Sequence, residues 1–538
     1  MSAEQVLIIG GGPVGLALAL DLSRRGVRSL VVEEEAGTAL ELLAKAGTLN
    51  ERTMEICRHW GIAERVANVG FPSDHSRDTV YCTAVTGFAL GRSPMPSADE
   101  RGLPPWGPEM LRKCPQHLFD PLLAGVVLDL GVADIRYATR LAGFRQDAHG
   151  VTADLVDVAS GARTQVKASW MVGCDGAQSA VREALGIPFE GEFLDYSVSA
   201  MIRIPELDRF HPFGRVERFL LVGTQGTWSN LTAVDGLGLW RFTLVGSEDK
   251  LDLASLDLEG MIRRALGRDD IAFEILRVLP WKRSQFFAER FGEGRVFLAG
   301  DAAHTTSPTG GHGLNTGLGD VFTLGWMLEG LVKGWGGEGL ARAYGAERRP
   351  VAVRNSSGST QNYRAWVDNS GRDRILDDTA EGEAARRKIG DQMTAALAVE
   401  WHSTGVGMGY RYEGSPLIVP DGTPEPADPH DHYVPTARPG HRAPHAWLAD
   451  GRSTLDLFGK GFVLLRLGDD PPDVGGLAAA AERCGLPLEV VRLDAPEIAA
   501  IYQRQLVLVR PDGMVAWRGD TVPADPQGLI DTVRGLIR

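Results

Sequence analysis

The sequence predicts an α/β protein of several domains, and three observations carry that prediction. Residues 6–33 read as strand, glycine turn, helix and strand; residues 187–280 break into short strands; strands and helices alternate from residue 447 onwards. A length of 538 residues allows roughly three domains, each large enough for its own core.

The first unit is the most specific. Residues 6–9 (Val-Leu-Ile-Ile) form a continuous apolar run, the pattern of a parallel strand covered on both faces. Gly10-Gly-Gly12-Pro13-Val14-Gly15 matches G-x-G-x-x-G, a helix rich in Ala and Leu follows to Arg25, and Gly26 closes it. In such a unit Gly10 makes the turn, Gly12 admits a pyrophosphate, and Gly15 lets helix and strand pack closely. The helix N-terminus then offers unpaired N–H groups to phosphate. Glu33, with Glu34 beside it, ends the second strand where a carboxylate can accept from a ribose hydroxyl. This motif alone means a dinucleotide and does not separate NAD from FAD.

Composition narrows the partners. With 56 Lys and Arg against 70 Asp and Glu, the formal charge is −14, which disfavours nucleic acid. No apolar stretch approaches the ~20 residues of a membrane span. The N-terminal residues carry no basic leader, so a cytoplasmic location is expected. Five scattered cysteines contain no C-x-x-C, and the histidines of the Pro-rich stretch 416–445 have no metal spacing; no metal is expected.

Two later motifs complete the pattern. A short apolar strand ends at Cys174 and opens into Asp175-Gly176-Ala-Gln-Ser-Ala-Val-Arg182. Gly300-Asp301-Ala-Ala-His304 follows another apolar strand and leads to Pro308-Thr-Gly-Gly311-His312-Gly313-Leu314-Asn315. In this order the three motifs resemble the group A FAD-dependent aromatic hydroxylases, the flavoprotein monooxygenases typified by para-hydroxybenzoate and phenol hydroxylases. The resemblance runs from residue 4 to about residue 350 and more loosely beyond.

The resemblance implies an FAD-binding Rossmann-like domain (1–75, 105–186 and 281–370), an antiparallel-sheet substrate domain (76–104 and 187–280), a helical and Pro-rich linker (371–445) and a thioredoxin-like domain without redox cysteines (446–538). It implies that Asp301 hydrogen-bonds the ribityl chain of FAD and that Gly311, Gly313, Leu314 and Asn315 meet the flavin. Pro308 and His312 are the candidate catalytic residues. Asp175, Gly176 and Arg182 would serve FAD and a transient NADH or NADPH together, Asp175 being equally suited to capping the helix that follows. Gln116 and Lys45 resemble FAD contacts, Lys45 standing where the family usually carries Arg. Arg215, Trp228 and Trp240 are substrate-pocket candidates.

The implied activity is hydroxylation of an aromatic substrate, phenolic or polyketide-like, using O2 through a C4a-hydroperoxyflavin. Baeyer–Villiger oxidation or epoxidation by the same fold, and a non-catalytic flavin sensor, are the alternatives. Whether the chain forms a homodimer is left open, and the C-terminal domain is expected to have a structural or dimer-contact role.

Overall fold

A computed structural model describes residues 4–38, 45, 47–247, 249–367, 371–401 and 403–536. Strand β1 (Glu4–Ile9) lies at the centre of the first sheet, with Val6 to Ile9 all buried. It is flanked in parallel by β2 (Ser29–Val32) and by β3 (Arg163–Gly173), with Leu7 opposite Met171. Beyond β3 lies β4 (Val296–Leu298), also parallel. The connection from β1 to β2 is helix α1 (Pro13–Arg24), a right place for the crossover helix of a parallel pair.

The second sheet has eight strands, and every pairing in it is antiparallel except that of Arg218–Gly223 with Thr79–Cys82. The sequence reads as one strand-like segment from Thr79 to Gly91 that joins this sheet; it forms two strands, Thr79–Cys82 and Ala89–Ser93. One strand escapes the sequence pattern. Glu274–Ala288 runs the whole length of Phe189–Arg203 even though Pro280 stands in its middle, paired with Val198. Over most of its length this strand is an edge, where a missing N–H is tolerated. The expected boundary between residues 280 and 281 therefore falls inside a strand.

The two faces of this sheet differ in chemistry, as the two-residue period of a strand requires. Val198, Ala200, Ile202, Phe219, Leu231 and Phe242 form an apolar core with Ile262 of the helix Leu258–Leu266. The opposite face carries Ser197, Ser199, Thr232, Arg241 and Thr243 and is turned towards the first sheet, where Arg241 donates to the Lys45 carbonyl at 3.0 Å. Residues 371–445 do more than link. Helix Ala380–Trp401 packs Ile389, Met393 and Leu397 against Tyr81, Leu90, Leu220 and Val222, and Glu400 pairs with Arg218 at 2.9 Å. The expected end of the preceding helix at Asn369 lies outside the described residues.

The C-terminal sheet has the order Leu488–Leu493, Phe462–Leu467, Leu506–Val509, Val515–Gly519, the first pair parallel and the others antiparallel. It is fastened to the rest by buried charges. Arg510 forks onto Glu347 at 2.6 and 2.8 Å and also pairs with Asp512, which accepts from the Trp326 indole N–H at 3.2 Å. Arg52 donates to the Asp512 carbonyl at 2.7 Å, and Arg442 pairs with Glu55. Removing one member of such a set strands its partner's charge in the interior.

Two stability predictions follow from these cores. Burial lowers the imidazoles of His59, His312 and His441 from 6.5 to about 4, so all three fold in the neutral form. The unfolded chain then binds more protons in that interval, so stability is full above about pH 6.5 and declines as pH falls towards 4. Melting temperatures recorded across this range should drop steadily, and His312→Gln should reduce the slope. Second, Asp320→Ala, which leaves Arg348 buried without its carboxylate, should cost about 3–5 kcal/mol in denaturant unfolding. A loss below about 1 kcal/mol, the level of an exposed pair, would contradict this reading.

Candidate active site

The glycine turn after β1 is built as its spacing requires. Gly10 has φ +104°, and a Cβ there would lie 2.4 Å from the Cys174 carbonyl oxygen. A Cβ on Gly15 would lie 2.0 Å from the Gly10 oxygen, so α1 can approach β1 only with glycine at that point. Gly12, by contrast, faces open space, and no side chain caps the helix start at Pro13. The first N–H groups of α1 are thus free to meet an anion. Glu33 fixes the turn: one carboxylate oxygen accepts from Gly11 N–H at 2.6 Å and the other from Glu35 N–H at 2.9 Å. Glu34 is on the surface, 3.7 Å from Arg140.

A second uncapped helix start lies close by. The helix His312–Lys333, here α2, begins after Gly310 and Gly311, whose φ values of +88° and +69° belong to the left-handed region. It packs on α1 through glycines: a Cβ on Gly300 or Gly317 would come within 2.9 or 2.8 Å of the Val14 side chain. Asp301, on the turn Gly300–Ala302, opens onto the crevice beside both helix starts. Its poorly hydrated position raises its carboxyl above the usual range, and no described residue hydrogen-bonds it. Asn315 locks the start of α2 to the neighbouring segment, accepting from Asn50 N–H at 2.9 Å and donating to the Thr48 and Gly311 carbonyls at 3.0 and 2.6 Å. Gly313 and half-buried Leu314 continue this surface.

The two candidate catalytic residues face different surroundings. Pro308 is exposed. His312 is buried, its Nε2 has no partner, and it lines a small internal cavity with Arg52, Thr316, Arg348 and Tyr410. With its imidazole lowered to about 4 by loss of hydration, it is neutral at pH 7 and faces the protein interior.

Several expected contacts are engaged within the protein. Asp175 accepts from the Ser179 hydroxyl at 2.6 Å and from Val181 N–H at 3.1 Å, closing the start of the short helix Ala180–Ala184; burial raises its carboxyl. Gly176 supplies the left-handed turn at φ +76°. Arg182 is buried, donates to the Ala302 and Ala177 carbonyls, both at 3.1 Å, and lies 4.0 Å from the Phe189 ring. Arg182 thereby braces the Asp301 turn through the Ala302 carbonyl. Gln116, first in its helix, donates to Asp120 at 3.1 Å, and burial pushes that carboxyl up to about 7. Lys45 is exposed.

The three substrate-pocket candidates have the following surroundings. Trp240 lies in the apolar core behind the sheet, and Trp228 packs on that core with its ring 6.4 Å from Phe242. Arg215 is partly exposed and pairs with Asp74 at 2.8 Å. The residues that sequence reasoning missed are on the other face. The Trp281 N–H donates to Ser199 at 2.9 Å, Ser199 and Thr243 share a hydrogen bond of 3.0 Å, and Arg283 reaches Ser307 at 3.1 Å beside Pro308. The signal was present as hydroxyl residues alternating with apolar ones in residues 197–202.

Comparison with known proteins matches residues 3–359 to a family described as FAD binding domain and residues 436–536 to one described as aromatic-ring hydroxylase, C-terminal. The chain is 32% identical to tetracenomycin B2 monooxygenase-dioxygenase of Streptomyces olivaceus over 99% of its length and 98% of that protein's. Among solved structures it is similar to chromopyrrolic acid-soaked RebC with bound 7-carboxy-K252c (40% identity, 99% of each chain, TM-score 0.92). It is also similar to the flavin-dependent monooxygenase PieE in complex with FAD and substrate (30% identity, 99% of this chain and 98% of that one, TM-score 0.87). The chain belongs to the FAD-dependent aromatic-ring hydroxylases.

Proposed function

We propose that the chain hydroxylates a phenolic or polyketide-like aromatic compound, consuming NADH or NADPH and O2, in the crevice between the first sheet and the polar face of the second. The observation that carries this reading is the convergence of two uncapped helix starts around Val14 and Gly300, with Asp301 open beside them. These residues fit FAD: Gly12 leaves the space that a pyrophosphate needs, and Asp301 has a free acceptor for a ribityl hydroxyl. When bound, FAD supplies the electron transfer and oxygen activation.

The protein's own share is binding, orientation and shielding. The N–H groups at the start of α1 take phosphate charge, and the start of α2 favours negative charge near Gly311 and Gly313. Ser199, Thr243 and Arg241 give the crevice a polar wall suited to orienting hydroxyl or carbonyl groups of a substrate, while helix Ala380–Trp401 covers one end of the sheet against water. A buried neutral His312 is unsuited to donating a proton to substrate; Pro308, exposed beside Ser307 and Thr309, is the better candidate for the substrate surface.

In this reading the FAD-binding unit comprises 1–75, 105–186 and a third segment that begins after residue 288, where strand Glu274–Ala288 ends. The substrate unit comprises 76–104 and 187–288, and residues 446–538 form a buttress. A cytoplasmic enzyme acting on a small aromatic molecule, without nucleic acid or membrane, suits the charge of −14 and the absence, among the described residues, of a helix long and apolar enough to cross a membrane.

The test is a panel of phenols and polycyclic aromatics scored for product mass increased by one oxygen atom. NAD(P)H oxidation should be slow alone and accelerate with a hydroxylated compound; a rate indifferent to every compound, with no oxygenated product, would overturn the reading. Asp301→Ala should weaken FAD binding by about 1.5–3 kcal/mol, roughly ten- to a hundredfold in Kd. Equilibrium dialysis that finds FAD held as tightly as in the parent would remove Asp301 from the site.

A further inference from the structure

Outside the crevice, the loop 71–113 encloses a cavity that the proposed mechanism does not use. Arg77, Arg101, Arg112 and Lys113 line it together with Phe71 and Pro72, and none of its lining residues is acidic. In a chain with a formal charge of −14, such a concentration of cations is not a product of average composition.

The charges are unequally balanced. Glu217, buried behind the wall, accepts from Arg77 Nε and from Lys113 Nζ, both at 2.7 Å, and these two cations hold its carboxyl far below the usual range. Lys113 also donates to the Ala233 carbonyl at 2.6 Å and sits 4.7 Å from the centre of the Phe71 ring. Those two cations are satisfied. Arg101 and Arg112 are not: the Arg112 Nε is buried without a partner, and no described residue hydrogen-bonds the Arg101 guanidinium. Burial, first, and the neighbouring Arg77 and Arg112 lower the pKa of Arg101 against the opposing pull of Glu51 and Glu217, neither of which hydrogen-bonds it. An unmatched buried donor is costly, and a bound oxyanion removes the cost.

Contacts tie the cavity wall to the start of α2. Thr48 and Lys113 face each other in a two-stranded ladder, Arg77 reaches the Thr48 hydroxyl at 3.4 Å, and the Thr48 carbonyl takes the Asn315 amide at the start of α2.

From these contacts we infer that the cavity is an oxyanion subsite, with Arg101 and Arg112 binding the phosphate or carboxylate of an aromatic small molecule that enters the crevice. The inference rests on the monooxygenase reading for its two possible sources: the phosphates of the nicotinamide donor, which find Arg182 already engaged, or a carboxylate on the hydroxylated substrate.

Calorimetric titration of the FAD-loaded enzyme with inorganic pyrophosphate, and separately with benzoate, tests it without requiring turnover. Wild-type protein should bind at least one probe, and Arg101→Gln/Arg112→Gln should weaken that binding by about tenfold or more with FAD content unchanged. Ala98→Trp, which fills the cavity from its wall and alters no charge, should give the same loss, whereas Arg101→Lys/Arg112→Lys should retain most of the binding. These two variants carry the test if the glutamine pair does not fold. A rise in KM for NADPH with kcat kept assigns the site to the donor; a rise confined to a carboxylated aromatic substrate assigns it to the substrate. The inference is overturned if wild-type enzyme binds neither probe, or if the filled and uncharged variants bind as tightly as the parent. Because the probes report heat and not product, failure here is distinct from failure to hydroxylate.

Discussion

The carboxylate of Asp320 is the interaction on which the active-site architecture depends. It is fully buried and takes the Gly300 N–H at 3.1 Å, the His304 Nε2 at 2.7 Å and the Arg348 Nε at 2.8 Å. One side chain on α2 therefore holds both ends of the turn that carries Asp301. The desolvation of these groups is offset only while every partner is in place, so the cluster contributes little net stability but allows one arrangement of turn and helix. Arg182 fixes the same turn from the other side through the Ala302 carbonyl. Asp301 is left as the exposed point on a segment whose other polar groups are committed.

The same chemistry extends outward to the C-terminal domain. Arg348 continues to the Tyr412 hydroxyl at 3.2 Å and the Thr316 carbonyl at 3.1 Å, and Tyr412 meets Thr323 of α2 at 2.8 Å. One residue earlier in the chain, Glu347 receives Arg510, which also pairs with Asp512 beneath Trp326. Adjacent residues of one helix thus clamp the cofactor turn and the C-terminal sheet. The C-terminal domain, whose cysteines are free, is joined to the cofactor-side helices by these buried charges.

The N-terminal unit was legible because its constraints are steric and local. No residue other than glycine fits 2.0 Å from a backbone oxygen, and that leaves a mark in the sequence. The second sheet was legible as strands but not as faces. Trp228 and Trp240 read as pocket aromatics, yet aromatic rings fill the core behind the sheet, and the crevice side carries hydroxyls and arginines. Strand Glu274–Ala288 was hidden by Pro280 and by charges that only an edge position tolerates. Arg182 could be found as part of a motif, but its burial against Phe189 and Ala302 depends on residues far away in the chain.

The order of strands in the first sheet has a consequence for how the chain acquires its fold. During synthesis β1 and β2 emerge early and can pair at once, but β3 follows only after residue 163 and β4 only after residue 296. Most of the second sheet must be threaded between these two events, since five of its eight strands occupy residues 189–288. The apolar flank of β1 therefore waits for more than a hundred residues before its neighbour arrives, and the Asp301 turn cannot be clamped until Arg348 has been made. Such delayed pairings slow folding and leave strand edges open to wrong partners. The net charge of −14 favours keeping nascent copies of the chain apart during that interval.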